Sequence, residues 1–292
     1  MHTFINFGHG QVPWFEAISE DTSIRKYNIH LSPANGIPVA SYQSLMSAFS
    51  SQYNFTGLDC RGAWPAQASP RNNFNWNDHA NDLISAVESQ FNEPIIGMGH
   101  SLGGTVTLLA AKKRPDLFSK LIIIDAASLP NAALSYISGI MPRWLSFKAF
   151  KFIKRTHERQ RIWESQEAFY DNYKNHSTYR SFTETAFQDY VKYGLRERSD
   201  GKFELIFNPE WESHNFRKVH YLWGALKDIS HPTLLLRAEN TYMYSQKMFD
   251  ARNKHLAPNI TAQTIPATNH LVTHESPEVL SSQILKWLQA QS

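Results

Sequence analysis

The chain has 292 residues, enough for one α/β core with an inserted subdomain. Its 42% apolar and 19% charged content is that of a folded globular protein, and a net charge of +3 is too mild for a nucleic-acid binder. No run approaches 18 consecutive apolar residues, Cys60 is the only cysteine, and residues 1–8 lack a basic stretch followed by an apolar one. These features exclude a membrane-spanning helix and an intramolecular disulfide, and a reducing, cytoplasmic setting is the expectation.

The apolar runs come at α/β spacing. Residues 4–7 read as a first strand that ends at Gly8-His9-Gly10, and residues 12–26 read as an inserted polar stretch. Residues 27–31 form a second predicted strand, 42–49 a helix, 55–58 a strand ending at Asp59, and 82–91 a helix. Residues 95–98 form another short strand, and 120–125 is the clearest strand in the sequence. The unbroken apolar character of Leu121-Ile122-Ile123-Ile124 suits a strand buried on both faces of a parallel sheet. After Asp125 the alternation stops. Residues 126–230 carry helix-like, aromatic-rich patterns with no convincing buried strand. Strands resume at 233–237 and 260–265, and a last helix begins at Ser276, an N-cap type, and Pro277. Three segments follow: a first core part (1–125), a helical cap (126–230) and a second core part (231–292).

Gly99-His100-Ser101-Leu102-Gly103 joins the strand at 95–98 to an apolar helix beginning near Gly104. A G-x-S-x-G sequence between strand and helix is the pattern of a nucleophile elbow. The sharp turn strains the backbone at Ser101 and leaves no room for side chains two positions away, which glycine at 99 and 103 satisfies. The helix N-terminus turns its N–H groups toward the place where an oxyanion would form.

A serine nucleophile needs a base, and His270, between the strand at 260–265 and the last helix, stands where this topology requires one. His2, His176 and His274 read as surface-loop histidines instead. Two acids compete to orient His270. Asp125 closes the apolar strand 24 residues after Ser101, where an unpaired carboxylate would be costly. Glu239 follows the strand at 233–237, immediately beyond its end. Asp125 is the preferred acid and Glu239 the alternative. The oxyanion donors expected are the Leu102 N–H and, from the turn Ala34-Asn35-Gly36-Ile37-Pro38, the Ile37 N–H. His9-Gly10 imitates that turn but comes too early to lie beside Ser101.

These motifs together resemble the α/β-hydrolase superfamily over nearly the whole chain. More narrowly, the chain is similar to a bacterial group of uncharacterised hydrolases. They share the Ala34–Pro38 turn, Trp64-Pro65 after Asp59-Cys60-Arg61-Gly62, the Gly99–Gly104 elbow, Ile124-Asp125, and Pro209-Glu210-Trp211-Glu212. The resemblance implies an eight-stranded, mostly parallel sheet, a serine–histidine–acid triad, no cofactor and no metal. Haloalkane dehalogenases are similar in placing the acid at the end of the same strand, which favours Asp125; their nucleophile is an aspartate. The chain departs from the common pattern at Thr241-Tyr242, where an aspartate would usually stand, and at Thr268, where a glycine would.

The expected activity is that of an esterase- or lipase-like serine hydrolase, cleaving an ester, thioester or related acyl bond of a small molecule through an acyl-enzyme. The alternatives are carbon–carbon or amide cleavage on the same triad, and a non-catalytic binding protein on the same fold. Residues 143–161 hold seven Lys/Arg against one acid, Glu158, with Trp144, Phe147, Phe150 and Ile153 at helical spacing. A cap helix with its apolar face on the core and its cations in solvent is the plainer reading. Weak contact with an anionic membrane surface, or attraction of an acidic substrate, is the sharper one.

Overall fold

A computed structural model describes residues 2–6, 11–18, 27–65 and 68–291. The core is an eight-stranded sheet built from β1 (His2–Asn6), β2 (Gln11–Ala17), β3 (Tyr27–Ser32), β4 (Tyr53–Leu58), β5 (Ile95–His100), β6 (Phe118–Ile124), β10 (Thr233–Ala238) and β11 (Ile260–Ile265), in the order β1-β2-β4-β3-β5-β6-β10-β11. From β4 to β11 every neighbouring pair is parallel, whereas β2 runs antiparallel to both β1 and β4. Strand order reverses at β3, so β5 and β6 lie at the centre, where side chains are covered on both faces. Leu121 to Ile124 and Leu234 to Leu236 are fully buried, as their continuous apolar runs require.

The reading of residues 12–26 as a polar insertion is corrected by β2. Val12, Trp14 and Phe15 are buried while Gln11 and Ala17 face solvent. Pro13 and Glu16 interrupt the apolar run, and Glu16 accepts the Trp14 indole N–H at 2.9 Å, which hides the strand in the sequence. Phe7 and His9-Gly10 lie outside the described residues. The helix expected at 82–91 starts earlier, at Trp76. Asn75 caps it by accepting the Asn77 N–H, and the Asp78 side chain reaches back to the Asn75 N–H. Ser276 precedes the last helix, Pro277–Ala290, but its side chain makes no cap hydrogen bond.

Between β6 and β10 the chain forms a run of helices and a small antiparallel sheet, β7 (Ile162–Trp163), β9 (Phe203–Leu205) and β8 (Leu195–Glu197) in that spatial order. Strands of two or three residues carry no readable alternation, which is why the sequence shows only helices there. The expected helix over 143–161 is two short ones, Arg143–Ala149 and Lys151–His157, broken at Phe150. The helix Pro209–Arg217 fastens this cap to the core. Asn215 accepts the Trp76 indole N–H through its carbonyl at 3.1 Å, and its side chain donates to Asn35 Oδ1 at 2.9 Å. Asn35 Nδ2 donates to the Glu212 carbonyl at 2.9 Å. Arg159 pairs with the Glu212 carboxylate at 2.9 Å, which offsets the burial that pushes that carboxyl upward.

Candidate active site

Ser101 sits between β5 and the helix Leu102–Lys113 with φ 55° and ψ −117°. Such a conformation costs on the order of 1–3 kcal/mol in a non-glycine residue. Three backbone hydrogen bonds hold it there: the Ser101 N–H donates to the Ile124 carbonyl, and its carbonyl accepts from Ala127 and Thr105. The tightness of the turn is measurable at its glycines. A Cβ on Gly99 would lie 2.3 Å from the Gly103 carbonyl oxygen, and one on Gly103 would lie 2.0 Å from that of Ser32.

Asp125 follows β6 directly and also takes a positive φ, 39°. Its own N–H donates to the Leu236 carbonyl at 2.8 Å, and Oδ1 accepts the Ala238 N–H at 3.0 Å. This leaves Oδ2 for His270, whose Nδ1 lies 2.6 Å away. His270 Nε2 lies 2.9 Å from Ser101 Oγ. The structure therefore brings Ser101, His270 and Asp125 into one hydrogen-bonded line, all three buried. Tyr242 lies over the imidazole with ring centroids 4.9 Å apart.

Glu239 is not part of that line. It is exposed, and its carboxylate accepts the Ala267 N–H at 2.7 Å. Ala267 is the third non-glycine residue at positive φ, 57°, so Glu239 braces the turn between β11 and His270. Thr268, in the place of a glycine, donates its hydroxyl to the Ile265 carbonyl at 2.8 Å, and its carbonyl accepts the Asn240 N–H. The loop is thus pinned by hydrogen bonds rather than by a glycine turn.

The expectation for Ile37 is corrected. Its N–H donates to the Ala34 carbonyl at 3.2 Å and closes the turn in which Gly36 takes φ 78°, so it is spent. The Ala34 N–H is taken by the Tyr42 hydroxyl at 2.9 Å. Of this turn's donors, Asn35 and Gly36 have no N–H acceptor among the described residues. The turn is seated on the elbow, since the Gly103 N–H donates to the Pro33 carbonyl at 3.1 Å. Leu102 is the first residue of its helix, where the N–H has no intrahelical acceptor.

The sequence reading missed a buried polar layer beneath the triad. His100 Nε2 donates to the His270 carbonyl at 2.9 Å, so His100 Nδ1 is the acceptor and takes the Tyr42 hydroxyl at 2.9 Å. With the Ala34 N–H on Tyr42, one chain of hydrogen bonds links the 34–37 turn to the backbone of His270. The signal available was His100 itself, a polar residue ending an apolar strand beside Ser101. His274 is corrected as well: it is wholly buried, with Ser41 and Thr273 as partners and Phe182 stacked on it at 4.7 Å. His176 is exposed as expected, and the side chain of His2 lies outside the described ones.

These histidines predict a pH dependence of stability. Burial pushes His30, His100 and His274 down from 6.5 to about 3. Between those values the unfolded chain binds protons that the fold refuses, so stability falls as pH drops below 6.5. Asp59 acts oppositely over part of the window, because burial raises it from 3.8 to about 6 and the fold binds its proton first. His214, pushed down to about 4, acts with the other three histidines, so together they outweigh Asp59 and stability falls steeply between pH 6 and 4. Urea unfolding across that range measures it, and a midpoint that stays level contradicts it.

A profile of the alpha/beta hydrolase family matches residues 35–283. The chain belongs to this family. Among its relatives, the 2-(acetamidomethylene)succinate hydrolase of Mesorhizobium japonicum is 22% identical over 253 residues, covering 86% of this chain and 84% of that one. The strigolactone esterase D14 of Arabidopsis thaliana is 22% identical over 258 residues, 87% and 89% of the two chains. The crystal structure of E-2-(acetamidomethylene)succinate hydrolase superposes with a TM-score of 0.79 at 19% identity, over 99% of each chain. The enzyme class is therefore a hydrolase, and the fold is that of the family.

Proposed function

We propose that this hydrolase cleaves an ester, thioester or related acyl bond of a small molecule through a covalent acyl-enzyme on Ser101. The observation that carries the reading is the unbroken line from Asp125 Oδ2 through His270 to Ser101 Oγ, at 2.6 and 2.9 Å. In the first step His270 Nε2 takes the Ser101 proton as Oγ bonds to the acyl carbon, and the carbonyl electrons move onto oxygen. The Leu102 N–H and, in place of Ile37, the Asn35 N–H receive that oxyanion. Collapse breaks the bond to the alkoxide or thiolate, which leaves with the proton from His270. Water then repeats the sequence on the acyl-enzyme and frees the acid. Asp125 holds Nδ1 protonated throughout, so Nε2 stays free to accept.

Residues 126–230 act as the cap that shapes the substrate chamber, with Asn35 as the point where cap and oxyanion turn meet. The single cysteine fits a cytoplasmic setting. A series of p-nitrophenyl esters of rising chain length, with and without a fluorophosphonate, tests the reading. The expected result is turnover that stops when one adduct forms, mapped by mass spectrometry to the peptide holding Ser101. Neither turnover nor adduct would leave a binding protein on a hydrolase fold.

A further inference from the structure

Just after β6 the cap turns its apolar side chains outward. The helix Ala132–Ile140 has no buried residue, and eight of the fourteen exposed large apolar side chains among the described residues fall between Leu134 and Phe152. Tyr136 is 70% exposed, Trp144 68%, Ile140 64% and Phe152 53%. At about 100° per residue Tyr136, Ile137 and Ile140 share a single face of their helix. Of the four apolar residues expected to lie against the core at 143–161, only Ile153 is buried, while Trp144 and Phe150 point to solvent. A concentration of exposed apolar side chains in one segment marks a place where a protein meets something else.

Charge identifies the occupant. Lys148, Lys151, Lys154 and Arg155 are all exposed, and among the described residues only Lys154 has a carboxylate partner, Glu158 at 3.7 Å. A second copy of this chain in a two-fold contact would bring the same cations toward one another. An anionic phospholipid surface offers a hydrocarbon boundary for Ile140, Trp144 and Phe152, and negative headgroups for the cations beside them. Tryptophan at such a boundary keeps its ring among the headgroups. We infer that residues 132–155 dock the protein reversibly on an anionic phospholipid bilayer. The short helices of this face, nine residues at most, lie on the surface, and no helix among the described residues is long and apolar enough to cross a membrane.

The test uses the full chain sedimented with phosphatidylserine–phosphatidylcholine vesicles and with pure phosphatidylcholine vesicles, at low and at high salt. Partition onto the anionic vesicles is expected to be on the order of tenfold higher, and to fall as salt screens the headgroup charge. Replacing Lys148, Lys151, Lys154 and Arg155 with glutamine should lower anionic binding at least about tenfold and remove its salt dependence. Ile140→Asp with Trp144→Asp should abolish binding although every cation remains. Both variants touch exposed side chains, and circular dichroism checks that each is folded. Absence of vesicle binding, or binding that neither variant changes, overturns the inference. So does a concentration-dependent dimer that dissociates in the Trp144→Asp variant, because the face would then be a contact between copies. Ser101→Ala should bind vesicles as the native chain does, so this inference and the proposed chemistry fail separately.

Discussion

Ser101→Ala is expected to lower kcat/KM for acyl-ester hydrolysis on the order of 10³-fold or more. In the proposed mechanism the hydroxyl bonds to the acyl carbon, and it is the partner of His270 Nε2 at 2.9 Å, so no neighbour can substitute for it. The fold should tolerate the change. Alanine carries the same Cβ as serine, so the backbone strain at φ 55° and ψ −117° is unchanged. The three backbone hydrogen bonds at position 101 do not involve the side chain. Thermal unfolding should therefore move little while turnover collapses. If the variant keeps a tenth or more of the native rate in a preparation shown by mass spectrometry to be free of native protein, the serine mechanism is wrong.

What the sequence revealed, and what it hid, follows from the range of the interactions involved. Elements buried on both faces were legible because burial demands an unbroken apolar run, as at Leu121 to Ile124. The elbow was legible because contacts of 2.0 to 2.3 Å at Gly103 and Gly99 permit no other residue there. By contrast, β2 alternates around a proline and an internally paired glutamate, so its apolar signal is diluted. The cap sheet is too short for any period to show. Ile37 was misassigned because its sequence neighbours specify a tight turn without saying which N–H groups that turn consumes. The Ile37 N–H closes the turn on the Ala34 carbonyl, and the Ala34 N–H goes to Tyr42, eight residues away. His100 and His274 were passed over for a related reason. A buried histidine needs partners for its ring nitrogens, and one such partner, the His270 carbonyl 170 residues from His100, carries no local pattern.

Asp125→Asn and Glu239→Gln should separate the two acids considered for the triad. Asp125 uses both carboxylate oxygens as acceptors, Oδ1 for the Ala238 N–H and Oδ2 for His270 Nδ1. An asparagine has one acceptor and one donor at this end. In one orientation its NH₂ faces the Ala238 N–H and leaves a buried donor unsatisfied. In the other the NH₂ faces His270, which must then carry its proton on Nε2, where it can no longer accept the one from Ser101. The first orientation keeps the base and costs stability; the second keeps the fold and loses the base. Because Asp125 is fully buried between β6 and β10, water cannot stand in for the missing acceptor. The expected loss in kcat is on the order of 10²–10⁴-fold, most of it surviving at high pH because the fault is a tautomer rather than a titration. Glu239→Gln keeps an oxygen able to accept the Ala267 N–H, and its side chain is exposed, so kcat should change by no more than about threefold. A larger loss from Glu239→Gln than from Asp125→Asn would transfer the acid to the end of β10 and overturn the assignment.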